Sequence, residues 1–116
     1  MVRNSNSHRV ALEIIVSHPA KFGLPNPVSV TIEEPLPHEG KIYSEPDITL
    51  NLKSEDVHIV EYKRARSVFL LRKAKKQLTK TRQWYSQYRS HIPQEKIHTH
   101  IIFGDNPKYR RLLDGI

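Results

Sequence analysis

"EPDITLNLKSEDVHIVEYKR", residues 45–64, decides the fold, because two short alternations of apolar and polar residues stand on either side of a polar turn. Alternation with a period of two is typical of β-strands with one buried face. Lysine, serine, glutamate and aspartate in "KSED" favour a turn between two such strands. We therefore predict a β-hairpin with the strands "DITLNL" and "VHIVEYK".

This hairpin is predicted to bring three charged side chains together. Side chains two positions apart on a strand point to the same face, so Glu61 and Lys63 project together. A turn centred on Ser54 places Asp47 directly opposite Glu61. The turn type cannot be read from the sequence, so a register shifted by one residue stays open. The apolar side chains expected on the other face are Ile48, Leu50, Leu52, Val60 and Tyr62.

Two adjacent carboxylates indicate a cation site. Asp47 and Glu61 would repel each other, and one of them would take up a proton unless a cation lay between them. Carboxylate oxygens, a backbone carbonyl and water are the ligands that Mg²⁺ or Mn²⁺ accepts. Beside such an ion, Lys63 would add positive charge where a phosphodiester becomes more negative during hydrolysis, or would orient the attacking water.

The same residues resemble a known superfamily of nucleases. Pro46-Asp47, then a gap of thirteen residues, then Glu61-Tyr62-Lys63 resembles the PD-(D/E)xK nucleases, which include restriction endonucleases, archaeal Holliday-junction resolvases and RecB-like exonucleases. The resemblance implies that Asp47, Glu61 and the backbone carbonyl of Tyr62 bind the metal, and that Lys63 is the catalytic lysine. It implies a restriction-endonuclease-like fold, in which helices flank a mixed central sheet.

The resemblance also implies an acidic residue on the first helix. Glu13 is the acid of the predicted first helix, and Glu33 and Glu34 on the next strand are rival candidates. The branch of the superfamily stays open. Gln77 resembles the glutamine of the Gln-x-x-x-Tyr element of RecB-like nucleases, but Thr81 stands where that element has tyrosine.

The other predicted elements agree with an α/β fold. Ser5 or Ser7 can cap a first helix over "HRVALEIIVSH", which Pro19 ends. "VSVTIEE" is predicted as a strand that "PLPHEG" breaks. Ser67 can cap a long helix that continues to Pro93. "IHTHIIFGD" is a final strand and "NPKYRRLLDG" a short helix. The predicted order is α, β, β, β, α, β, α, in one domain over residues 1–116.

The long helix has an apolar and a basic face. Its apolar stripe is formed by Val68, Leu71, Leu78, Tyr85 and Tyr88. The basic residues favour phosphate binding as a group, although any single one of them is typical of a solvated helix face. The residues predicted to contact nucleic acid are Arg64, Arg66, Arg72, Lys73, Lys76, Gln77 and Lys80.

Aromatic and histidine residues give two further candidate sites. Trp84, Tyr85 and Tyr88 have the chemistry to stack on unpaired bases. We expect core packing for Tyr85 and Tyr88, and leave Trp84 open. The histidines considered as a metal site are His91, His98 and His100. No carboxylate pattern accompanies them in the sequence, so we expect them to bind no transition metal.

The composition narrows the class of protein. The chain has 116 residues, a formal charge of +7 and no cysteine, which favours an acidic partner and excludes disulfides and thiol nucleophiles. No apolar run has the length of a membrane span, and the polar start lacks the core of a signal peptide. We expect a soluble, cytoplasmic protein.

The leading hypothesis is a metal-dependent deoxyribonuclease that hydrolyses DNA with Mg²⁺ or Mn²⁺ and acts as a homodimer. A homodimer is expected because so small a domain has little surface for a long duplex. One alternative is a basic nucleic-acid-binding module without catalytic activity. The other is an accessory subunit of a nucleoprotein complex. The choice between DNA and RNA is left open by the sequence.

Overall fold

A computed structural model describes the backbone of residues 2–113 and the side chains of residues 7–113. The predicted hairpin is present as β4 (Ile48–Asn51) and β5 (Val57–Lys63), which pair antiparallel. Its register pairs Ile48 with Val60 and Asn51 with Val57, which corresponds to a turn centred on Ser54. The predicted register is therefore confirmed, and it places Ile48, Leu50, Val60 and Tyr62 together in one apolar cluster.

Two more strands complete a four-stranded sheet with the order β1-β4-β5-β6. β1 (Ser29–Ile32) is antiparallel to β4, and β6 (Ile97–Phe103) is parallel to β5. Parallel neighbours need a long crossover, which here contains the helix α2 (Val68–Tyr88). The protein is thus an α/β fold with a mixed sheet, as predicted.

Helices cover both faces of this sheet. α1 (Val2–Ser17) and α3 (Pro107–Leu113) pack on one face, and α2 packs on the other. Short 3₁₀ helices at Pro19–Phe22 and Gln94–Lys96 join these elements. Burial of apolar side chains on both faces is the main stabilising term for such a sandwich.

Each face has its own apolar cluster. The cluster under α1 and α3 includes four of the five hairpin residues that we expected on the apolar face; Leu52 lies beyond the end of β4 and is only half-buried. The buried members under α1 and α3 are Ala11, Leu12, Ile15, Phe22, Leu24, Ile48, Leu50, Val60, Tyr62, Ile102 and Leu113. The buried members under α2 are Leu36, Val57, Ile59, Leu78, Trp84, Tyr85 and Ile97.

The elements of the main sheet and its helices follow the predicted order, but an additional hairpin was missed. "PLPHEG" was expected to be only a break, whereas β2 (Leu36–His38) pairs with β3 (Lys41–Ser44) in a separate two-stranded sheet. Glu39 and Gly40 form its turn with φ angles of 49° and 78°. Pro37 is tolerated because a strand of a two-stranded sheet has a free edge that needs no donor.

Two helix predictions need correction. α1 begins at Val2, so Ser7 lies inside the helix and does not cap it. The side chain of Ser5 lies outside the described residues. Ser67 does cap α2, because its hydroxyl accepts a hydrogen bond from the Leu70 amide at 3.0 Å. However, α2 ends at Tyr88 and not at Pro93, because the chain must turn back to enter β6.

The apolar stripe of α2 is also different from the prediction. Leu78 and Tyr85 are buried, but Val68 is exposed to solvent and Tyr88 lies at the rim. Trp84 is buried, and its indole N–H donates to the carbonyl of Pro37. The missed hairpin explains this difference, because β2 gives Trp84 a neighbour that the sequence interpretation lacked.

Gly104 joins the ends of β5 and β6. Its amide donates to the Lys63 carbonyl at 2.8 Å. A Cβ atom at this position would lie 2.9 Å from the carbonyl oxygen of Arg64 and would collide with the Tyr62 hydroxyl. Only glycine allows this close approach, which fixes the backbone on either side of Lys63.

Among the described residues, none of the helices combines the length and the apolar character that crossing a bilayer requires.

Replacing Gly104 by alanine should lower the free energy of unfolding by about 1–3 kcal/mol, because the added methyl group overpacks a closed contact. Urea denaturation of the variant and the wild type measures this loss. Tyr62→Phe removes one of the two colliding atoms, so Gly104→Ala should cost less in that background. An unchanged denaturation midpoint for Gly104→Ala would contradict the assigned close contact.

Candidate functional site

Asp47 and Glu61 meet at the end of β4 and β5. The amide of Asp47 donates to Glu61 Oε2 at 3.1 Å. In return, the amide of Tyr62 donates to Asp47 Oδ2 at 2.8 Å. Each carboxylate is therefore held by the backbone of the opposite strand, and the two are adjacent, as the register predicts. The second bond also brings the Tyr62 backbone to the carboxylate pair.

One oxygen of this pair has no partner. Glu61 is 0% exposed and Asp47 is 8% exposed. Glu61 Oε1 is buried without a hydrogen-bond partner among the described residues. Burial, and then the charge of Asp47, raise the pKa of Glu61 to about 8. An unsatisfied buried carboxylate oxygen is costly, so Glu61 either carries a proton or faces a cation that the protein chain does not supply.

His8 on α1 belongs to the site, although the sequence interpretation missed it. Its Nε2 lies 3.2 Å from Asp47 Oδ1, and its ring lies 5.7 Å from that of Tyr62. The hydrogen bond with Asp47 is the main cause that raises the pKa of His8. The spacing contained a signal: His8 stands one helical turn before the buried Leu12, so it shares the face of α1 that packs on the sheet.

Lys63 is held by α2. Its Nζ donates to Gln77 Oε1 at 3.0 Å. Gln77, which was predicted as a nucleic-acid contact, thus holds the side chain of the catalytic candidate. Lys63 follows Glu61 by two residues on β5, so its ammonium group lies on the same edge of the sheet as the carboxylate pair. The pKa of Glu61 is lowered by the charge of Lys63, though less than burial and Asp47 raise it.

Two of the three acidic candidates outside the hairpin contact Arg9. Glu13 is exposed, and its Oε2 lies 3.2 Å from Arg9 Nε. Glu33 Oε1 lies 3.2 Å from Arg9 Nη1, and the Glu33 amide donates to the carbonyl of Asp47. Glu34 is exposed and lies beside a groove that Trp84 and Tyr88 also line. Glu13 therefore contacts Arg9 and not the carboxylate pair, while Glu33 lies next to Asp47 through the backbone.

The basic residues lie on the surface beside this site. The exposed members of the predicted set are Arg64, Arg66, Arg72, Lys73, Lys76 and Lys80. None of their side chains makes an ion pair with a carboxylate in the described part of the chain. α2 itself contains no acidic residue. Its charge is therefore available to an anionic partner.

The aromatic candidates line a groove away from the carboxylate pair. The groove has a volume of about 610 Å³, and Trp84, Tyr85 and Tyr88 form one of its walls. The first two are buried, which confirms core packing for Tyr85 and decides the open case of Trp84. Tyr88 is 37% exposed, so the expectation of core packing was wrong for it. Tyr88 bonds to His38 on the missed hairpin through its hydroxyl group.

The three candidate histidines do not lie in one place. His98 and His100 lie near a third histidine, His58, whose Nδ1 is 2.8 Å from His100 Nε2. Asp56 Oδ1 lies 2.9 Å from His98 Nε2, so a carboxylate does accompany this cluster, contrary to the sequence interpretation. Burial lowers the pKa of His58 and of His100. His91 lies elsewhere, beside the groove.

Asp47 and Glu61 alone do not make up a complete metal site. Within residues 2–113, no group of three or more His, Cys, Asp and Glu side chains is arranged to hold a metal ion. A hard cation with two carboxylate ligands would therefore need a backbone carbonyl and water as its other ligands, which Mg²⁺ and Mn²⁺ accept. The unsatisfied Glu61 Oε1 fits such an ion.

Glu61→Gln should stabilise the metal-free protein increasingly as the pH rises. Folded Glu61 keeps its proton up to about pH 8, whereas an unfolded glutamate loses it near its ordinary value of 4.5. The native state therefore binds more protons in this window, and the wild type loses stability as the pH rises through it. The neutral glutamine escapes this loss.

Urea denaturation in EDTA from pH 5 to pH 9 measures the effect. The stability difference between Glu61→Gln and wild type should grow with pH and level off above about pH 8, at more than about 1 kcal/mol. Glu13→Gln is the matched control, because it makes the same chemical change at an exposed position. A pH-independent difference for Glu61→Gln would show that Glu61 ionises normally.

Comparisons with protein-family models, curated proteins and solved structures give no match. The features that bear on function are therefore the carboxylate pair, Lys63 and the basic helix α2.

Proposed function

We propose that this protein is a metal-dependent nuclease that hydrolyses DNA phosphodiester bonds with Mg²⁺ or Mn²⁺. The observation that carries the proposal is the buried carboxylate pair with an unsatisfied oxygen, Glu61 Oε1, adjacent to Asp47. A lysine on the same edge of the sheet and an acid-free basic helix beside it support the proposal. These parts match the needs of phosphodiester hydrolysis, in which negative charge must be bound and then stabilised.

The chain has suitable residues to hold the metal ion. Asp47 and Glu61 would supply carboxylate oxygens, and the backbone carbonyl of Tyr62 would supply a third ligand. A divalent ion bound there would polarise a phosphoryl oxygen and lower the pKa of a water molecule. Because the pair is nearly closed to solvent, entry of the ion requires a small displacement of its neighbours. His8, which contacts Asp47 from α1, is the half-buried neighbour on one side.

Lys63 would stabilise the scissile phosphate. Its ammonium group is oriented by Gln77 Oε1, and its charge lowers the pKa of Glu61, so it acts at the same edge of the sheet. A fixed positive charge near the phosphoryl oxygens stabilises the transition state more than the ground state, because the negative charge there increases during attack. In this role Lys63 is the catalytic residue and Gln77 is its positioning residue.

The basic face of α2 would bind the DNA backbone. Arg72, Lys73, Lys76 and Lys80 supply affinity that is independent of base sequence and falls as the salt concentration rises. Arg64 and Arg66 extend this surface toward Lys63 along the chain. A protein this small covers little of a long duplex, so we propose a homodimer acting on symmetric or branched DNA, such as a junction.

The order of elements also supports the proposed superfamily. α1, β1, β4, β5, α2 and β6 follow one another as in the restriction-endonuclease-like core, with the β2–β3 hairpin as an insertion. The acid of the first helix departs from the pattern, because Glu13 pairs with Arg9 and His8 takes the position next to Asp47.

A nucleic-acid-binding module without catalytic activity is the second candidate. Full burial of Glu61 favours it, since a protonated Glu61 with Asp47 could serve only to join β4 to β5. The basic surface would then bind phosphates alone, or would dock the chain in a larger nucleoprotein complex.

Lys63→Ala should reduce cleavage by about 10²–10³-fold, because it removes a fixed charge from the transition state. The substrates are labelled four-way junctions, linear duplex and single strands of DNA and of RNA, each with Mg²⁺, Mn²⁺ or EDTA. Gln77→Ala should lose less activity, since Lys63 remains but is no longer oriented. Lys53→Ala is the control, because Lys53 is an exposed lysine in the β4–β5 turn.

Binding, followed in parallel by a gel-shift assay, should survive in Lys63→Ala. Metal-dependent cleavage that is lost with Lys63 and kept in Lys53→Ala supports the nuclease. Salt-sensitive binding without cleavage by the wild type, under every metal, would leave only the binding module.

Metal binding should release a proton, because Glu61 must ionise to act as a ligand. Titration calorimetry with Mn²⁺ in two buffers of different ionisation enthalpy counts the released protons. The apparent affinity should rise about tenfold per pH unit up to about pH 8 and then level off. Glu61→Gln should abolish binding and Glu13→Gln should preserve it. Binding without proton release would contradict the assignment of Glu61 as a ligand.

A further inference from the structure

The N-terminus of α2 exposes two large apolar side chains. Val68 is 68% exposed and Phe69 is 72% exposed. They are the first two residues of the helix, directly after its cap. An aromatic side chain that is exposed to this degree buries little apolar surface, so it contributes little to the stability of the fold.

This part of the surface is rigidly attached next to Lys63. The Ser67 hydroxyl accepts from the Leu70 amide at 3.0 Å, so the first turn of α2 is capped. The Arg66 amide donates to Asp105 Oδ2 at 3.1 Å, and the Gly104 amide donates to the Lys63 carbonyl at 2.8 Å. The segment from Lys63 to Phe69 is therefore tied to the end of β6, at the edge of the sheet that carries the carboxylate pair.

Phe69 stands at the head of a basic row. Residues three, four, seven and eleven positions later on a helix share its face, and these are Arg72, Lys73, Lys76 and Lys80. All four are exposed, and none forms an ion pair with a carboxylate in the part of the chain that the structure describes.

The combination of Phe69 with the basic row favours one kind of binding partner. A flat apolar side chain followed by a row of cations matches a polymer that has stacked bases and an anionic backbone. A second copy of this surface is disfavoured, because two basic rows would repel each other. A membrane is a weaker match, since only Val68 and Phe69 offer apolar surface here.

We propose that Phe69 is a base-stacking wedge, which inserts at an unpaired or easily unstacked base of DNA while the basic row holds the adjacent phosphates. This proposal depends on the proposed nuclease function in one respect only, namely that the scissile bond lies beside Phe69. The substrate class is then DNA in which base stacking is locally weakened, such as a bulge, a branch point or a flexible pyrimidine–purine step.

Fluorescence anisotropy in EDTA tests the wedge without cleavage. The probes are a labelled duplex with one unpaired base and the same duplex fully paired. Wild type should bind the first about tenfold more tightly, which is within the range that stacking of one base provides. Phe69→Ala should bind both with the affinity that wild type has for the paired duplex, and Phe69→Trp should keep the preference. The salt dependence should be the same in all three.

Ile42→Ala is the matched control, because Ile42 is a 63% exposed apolar residue on β3 and should not affect binding. The proposal is overturned if wild type lacks the preference or if Phe69→Ala keeps it. It is also overturned if Phe69→Ala instead abolishes binding to phosphatidylserine vesicles, or converts a dimer to a monomer in sedimentation, with DNA binding unchanged. A wild type that keeps the preference but never cleaves DNA refutes the nuclease and leaves the wedge standing.

Discussion

Two hydrogen bonds at the end of β4 and β5 hold the acidic pair together: the Asp47 amide donates to Glu61, and the Tyr62 amide donates to Asp47. Each strand thus fixes the carboxylate of the other, and neither side chain can leave without breaking a bond to the backbone. The arrangement concentrates negative charge in a buried place, which only a proton, a neighbouring cation or a metal ion can compensate. The charges of Lys63 and His8 act in this direction, because both lower the pKa of Glu61.

The helix α2 connects the region of the carboxylate pair to the surface of the protein. Its inner face buries Ala74, Leu78 and Tyr85, while its outer face carries basic residues without a single acid. Gln77 lies between these faces and reaches Lys63. One helix therefore closes the core, orients the lysine and presents charge to solvent, so a change in its packing would alter all three properties together.

The sequence was informative where a single physical rule acts alone. Alternation along residues 47–63 fixes which side chains share a face, so the register and the meeting of Asp47 with Glu61 were predictable. The β2–β3 hairpin was not, because its prolines resemble a break and its turn depends on Glu39 and Gly40 in left-handed conformations. His8 was missed because it contacts a residue far away in sequence, and no local pattern encodes that distance. The burial of Trp84 followed from the missed hairpin.

The turn between β4 and β5 has a consequence for the acidity of Glu61. The two carboxylates belong to neighbouring strands joined by a short turn, so pairing of the hairpin alone brings them together. The surroundings that exclude water come from other elements, since α2 must pack on the sheet and β6 pairs with β5 only after the crossover that contains α2. In a chain whose hairpin is paired but whose helix is undocked, Glu61 would lack the burial that is the largest cause of its raised pKa. The unusual affinity of Glu61 for a proton therefore reports tertiary docking more than the pairing of the hairpin, because burial raises its pKa more than the charge of Asp47 does.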